Sequence, residues 1–131
     1  MLEFIDCASL SMRELTVAAT ADLLDHKPRR RGAITAIGVD TVTLEDLTVT
    51  CGTARGNERT CVTVSGTQRD GKPVPVSFVR IVDCAFTCGF GQDGVLVTDA
   101  IDSVIEGNRL RVSPLPERFT LEELAADPRR H

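Results

Sequence analysis

Seventeen residues, Gly94 to Leu110 (GVLVTDAIDSVIEGNRL), carry an outline that recurs at three other places in the chain. Nothing else in the sequence restricts the possible folds so strongly, because copies of one unit are expected to stack and bury a continuous core between neighbours. Val95 to Ile105 (VLVTDAIDSVI), Ile34 to Leu44 (ITAIGVDTVTL) and Leu2 to Met12 (LEFIDCASLSM) align over eleven residues without a gap. A further copy starts at Val62 (VTVSG) and resumes at Val76 (VSFVRI). Thr67 to Pro75, with Asp70-Gly71 and two prolines, is therefore expected to be an outward excursion rather than strand. The equivalent anchors are Met12, Leu44, Ile81 and Ile105, at spacings of 32, 37 and 24 residues, and the length differences fall in polar connectors.

Within each copy apolar residues alternate with small or polar ones, as in Leu47, Val49 and Cys51 beside Thr48 and Thr50. Period two predicts strands with one buried face, and no copy has the 3.6-residue stripe of a crossover helix. With five Phe and neither Trp nor Tyr, the core has to be built from Val, Ile, Leu and Cys, which suits a narrow interior. After Ser113 the character changes. Pro114 and Pro116 end the strands, and Thr120-Leu121-Glu122-Glu123 reads as a capping box opening a short helix through Ala126.

Gly94-Val95-Leu96-Val97 followed by Ile105-Glu106-Gly107-Asn108-Arg109-Leu110 resembles the strand, turn and hydrophobic-x-x-Asn-x-hydrophobic pattern of the right-handed parallel β-helix repeats of pectate-lyase-like and NosD-like proteins. The resemblance implies an all-β fold, a single-stranded right-handed parallel β-helix (solenoid) of about four coils over residues 1–113, with residues 114–131 forming a capping tail with a short helix. It also implies templates for activity as a polysaccharide lyase, glycoside hydrolase or epimerase, with polysaccharide as the ligand class. Hydrolases of this fold pair aspartates on neighbouring strands and place a His in a Gly-His-Gly segment and a basic Arg-x-Lys segment nearby. Here Cys88-Gly89-Phe90-Gly91 has Phe at the His position and no Arg-x-Lys follows. The catalytic candidates left are Asp93 with Asp83 or Asp99, because glycoside hydrolysis needs two carboxylates across the scissile bond. An enzyme's groove would gather exposed acids with Arg80, Arg109 or Arg111 on one face.

Glu14, Asp46 and Asp83 sit two residues after their anchors, where the fourth copy has Gly107. Three carboxylates are thus expected along one edge of the stack. They either stay hydrated at turns or recruit a cation, which makes Glu14, Asp46 and Asp83 the metal-ligand candidates. Seven residues after each anchor come Ala19, Cys51, Cys88 and Val112, so Cys51 and Cys88 are expected one above the other, at a spacing that a disulfide could span. The favoured expectation is a buried thiol pair behaving as small hydrophobes. An odd count of five, with Cys7, Cys61 and Cys84 in other columns, suits a reduced protein. No metal and no other cofactor is expected.

A net charge of −4, with short Arg runs at Arg29–Arg31 and Arg129–Arg130, argues against nucleic acid. No charged leader with an apolar stretch and no membrane-length apolar run occurs, so the expected location is cytoplasmic, or extracellular if the chain belongs to a longer secreted protein. The function expected from these features is a structural or binding module on a parallel β-helix, self-associating or joining a larger assembly through its ends, above all the Met1 to Leu10 end. The alternative is a carbohydrate-active enzyme.

Overall fold

The structure, a computed structural model, describes residues 2–19, 31–51, 59–88 and 93–112. It is all-β, with fourteen strands and no helix among the described residues. The expected helix over Thr120 to Ala126, and the whole tail 114–131, lie outside them.

The alternation read from the sequence sets each strand. In Thr41–Glu45, Val42 and Leu44 are buried while Thr41, Thr43 and Glu45 stay partly exposed. The strands fall into four successive groups along the chain, each called a circuit. The first holds β1 (Leu2–Ile5), β2 (Ser9–Arg13) and β3 (Thr16–Ala19), and the second β4 (Arg31–Ile37), β5 (Thr41–Glu45) and β6 (Thr48–Cys51). The third runs β7 (Arg59–Ser65), β8 (Thr67–Arg69), β9 (Lys72–Val74), β10 (Val76–Val82) and β11 (Ala85–Cys88). The fourth holds β12 (Asp93–Thr98), β13 (Ala100–Glu106) and β14 (Arg109–Val112). Each circuit contributes one strand to each of three sheets, ordered β1-β4-β7-β12, β2-β5-β10-β13 and β3-β6-β11-β14, and every pairing within them is parallel.

Register puts like residues in columns. The anchors Met12, Leu44, Ile81 and Ile105 are successive partners in the second sheet. Val17, Val49, Phe86 and Leu110 are partners in the third. Leu47, Cys84 and Asn108 form another column, joined by hydrogen bonds from Ala85 N to Leu47 O and from Arg109 N to Cys84 O, each 2.8 Å. The middle two circuits supply most of the buried core, including Ile34, Val42, Leu44, Leu47, Val49, Val62, Val64, Val79 and Ile81. Removing each such side chain from water contributes about 1.5–3 kcal/mol, which is what holds the circuits in register.

The segment Thr67 to Pro75 does leave the stack, but it is not strand-free as expected. β8 and β9 pair antiparallel, with Thr67 opposite Val74 and Arg69 opposite Lys72. Asp70 (φ 52°) and Gly71 (φ 74°) both lie at positive φ, the two-residue turn whose twist matches a hairpin. The Asp-Gly pair thus closes a ladder. Where the excursion rejoins, Ser77 N and Phe78 N both donate to Asp40 O, at 2.9 and 3.3 Å, and β10 stays in one-to-one register with its neighbours on either side.

Candidate functional site

The three catalytic candidates stand at three different corners of the circuit. Asp93 begins β12, Asp99 occupies the turn between β12 and β13, and Asp83 the turn between β10 and β11. Asp83 and Asp99 are exposed. The fold separates them along strands rather than joining them across a cleft.

The metal candidates do form a column, and backbone geometry accounts for it. Glu14 (φ 52°), Asp46 (φ 51°), Asp83 (φ 54°) and Gly107 (φ 67°) are all left-handed, each directly following a strand of the second sheet. Their N–H groups continue the ladder into the next circuit, Glu14 N to Glu45 O, Asp46 N to Val82 O and Asp83 N to Glu106 O, each 3.2 Å. A bend at this position requires a residue that tolerates the left-handed region, and Asp and Gly are such residues. The opposite turn repeats the pattern with Asp6 (φ 55°), Gly38 (φ 69°) and Asp99 (φ 57°). No group of three or more His, Cys, Asp or Glu among the described residues is arranged to hold a metal ion.

Two polar constellations emerge that sequence reasoning did not single out. On the outer face of the second sheet Glu45 bridges two arginines, with Arg13 Nη2 at 2.8 Å from Oε2 and Arg80 Nε donating to Oε1 at 2.9 Å. Arg13 is the register partner of Glu45, whereas Arg80 is opposite Thr43 and reaches diagonally. The Arg80 hydrogen bond, aided by the charge of Arg13, holds the Glu45 carboxyl below its ordinary range. Arg80 is therefore engaged with Glu45. The ladder was detectable in the alignment as opposite charges one residue after two successive anchors.

The second constellation is a groove of about 370 Å³ between the hairpin and the first two circuits, lined by Asp6, Cys7, Asp40 and Arg69 among others, with Val74 and Pro75 on the hairpin side. Asp40 accepts a hydrogen bond from the Ser77 hydroxyl, and the Cys7 thiol faces Ile5 O at 3.6 Å. Only pairing of the hairpin brings Arg69 over the turn, so linear spacing could not reveal it.

None of the five cysteines is in a disulfide. Thr50 pairs with Thr87, so the following residues Cys51 and Cys88 fall in adjacent circuits of the third sheet, and both are buried. Cys61 faces the same corner from the first sheet, its thiol 3.3 Å from Thr87 O and 3.8 Å from Val49 O. Burial, reinforced by Cys51 and Cys88, pushes the Cys61 thiol up to about 12. It remains protonated at neutral pH, where a thiol is a poor nucleophile and a poor metal ligand. Asn108 ties the fourth circuit to the third, its Nδ2 donating to Ile81 O at 2.9 Å and its Oδ1 accepting from Cys84 N at 2.8 Å.

No family model matches the sequence, and no curated protein or solved structure is significantly similar to it. Among the described residues no helix is long and apolar enough to cross a membrane.

Proposed function

We propose that this chain is a right-handed parallel β-helix of about four coils that works as a structural or binding module, associating with itself or with a larger assembly through the ends of its stack. The observation that carries this reading is the exposure of inward columns at the terminal circuits. Ile105 is 48% exposed although its register partner Ile81 is 0%, and Leu110 is 59% exposed beside Phe86 at 2%. Leu2 and Leu15 are likewise exposed at the first circuit. Each of β1, β2, β3, β12, β13 and β14 has a sheet neighbour on one side only among the described residues. A parallel edge with an apolar rung beside it is a template for another strand.

Sedimentation at several concentrations tests this, with and without a charge placed at Phe4, which packs against the core near the first edge. The expected result is a mass that rises with concentration and falls after Phe4→Asp. A monomer throughout, with an unchanged melt after the substitution, removes this end as an interface. The carbohydrate-active alternative has no comparable observation behind it, since Asp83, Asp93 and Asp99 occupy separate corners.

A further inference from the structure

The two ends of the stack carry opposite charges at one register position. Arg13, Glu45, Val82 and Glu106 are successive partners in the second sheet. The first circuit thus ends this column on a cation, whose side chain is 67% exposed despite its contact with Glu45, and the fourth ends it on an exposed carboxylate. One further step beyond Glu106 is where Arg13 of another copy would stand. The same step sets Ile105 against Met12 and Leu110 against Val17, extending both apolar columns.

Spacing agrees as well. Leu2 to Met12 and Val95 to Ile105 have equal length, so the fourth circuit spans as many residues as the first between its first two inward columns. Because all strands of a sheet run the same way, a parallel contact continues the three sheets, whereas a two-fold end-to-end contact would oppose them. A like-charged step, Asp99 against Asp6, falls at an exposed turn where water and salt screen it.

We propose that the occupant of the open end is a second copy of this chain, the fourth circuit of one copy pairing in parallel and in register with the first circuit of the next, Glu106 against Arg13. This rests on the end-stacking reading above and specifies its partner. The contact joins two different surfaces, so it does not close on itself and copies add in a row.

The test uses the full chain with one end blocked at a time, Leu15→Arg at the first circuit and Ile105→Arg at the fourth, each checked for an intact cooperative melt. Wild type is expected to grow past a dimer as concentration rises. Each blocked variant alone stays monomeric, and an equimolar mixture forms a dimer and stops there. Glu106→Arg, an exposed change that leaves the core alone, weakens wild-type association about fivefold at low salt and less at high salt. A blocked variant that dimerises by itself overturns the head-to-tail register while leaving end stacking intact. A wild type that is monomeric until Leu124→Arg is introduced overturns it by showing that residues 114–131 occupy the end. A wild type monomeric under all these conditions overturns this proposal and the stacking reading together.

Discussion

At the turn after each strand of the second sheet, the backbone conformation decides the side chain. Gly107 is held at φ 67°, and a Cβ there would overlap Oδ1 of Asp83 from the circuit beside it. Gly107→Ala is therefore expected to lower stability by about 1–2 kcal/mol or more, from the left-handed strain plus the displaced carboxylate, as read by denaturant unfolding. Glu14, in the same conformation but at the end of the column, should respond in the opposite sense, with Glu14→Gly neutral or stabilising. The cysteines give a second outcome at this scale. Cys7 is exposed and the other four are buried, so a thiol reagent at neutral pH should label one group in the native state and five only after unfolding. Cys61 titrates near 12 when folded against 9.0 for an ordinary thiol, so the unfolded chain loses this proton first and stability should fall as pH rises above about 9.

Among the elements, the hairpin and the Glu45 ladder behave differently. β8 and β9 pair only with one another, so deleting Thr67 to Pro75 and joining Gly66 to Val76 should preserve a single cooperative melt, the loss of loop changing closure entropy by about 1 kcal/mol or less. A broad or absent transition would mean that the hairpin braces the second sheet. The Glu45 ladder spans three circuits through β2, β5 and β10, and its pH response has a definite sign. With the folded carboxyl held below its ordinary 4.5, the pairing stabilises fully above that value and is lost as pH falls through the lowered one. Stability measured between about pH 6 and pH 3 should drop more for wild type than for Glu45→Gln.

For the whole molecule, burial is graded along the stack. Ile81 and Ile105 occupy one column, but only Ile81 has a circuit on each side. Ile81→Ala is expected to cost about 2–5 kcal/mol, and Ile105→Ala about 1 kcal/mol, in dilute solution where chains are separate. The gap between the two should narrow as concentration rises, because an added copy covers Ile105. Equal costs at every concentration would mean that the fourth circuit is already covered.

Sequence alone determined the columns. Alternation with period two and the ungapped match of Leu2–Met12, Ile34–Leu44 and Val95–Ile105 place Met12, Leu44, Ile81 and Ile105 opposite one another, because a one-residue slip would turn every apolar side chain outward. The acidic column Glu14, Asp46 and Asp83 was legible by the same counting. Its chemistry was not, because only backbone dihedrals reveal the left-handed bend that favours such residues. The strands of the hairpin were not legible, because their pairing is local and their apolar content low, so periodicity carried no signal there. Tertiary structure alone brought Arg80 diagonally to Glu45, Arg69 beside Asp6 and Asp40, and Cys61 to the corner shared by Cys51 and Cys88. These contacts join residues from different strands and sheets, or from an excursion and its base, where the distance between groups depends on how the chain turns its corners rather than on spacing along it.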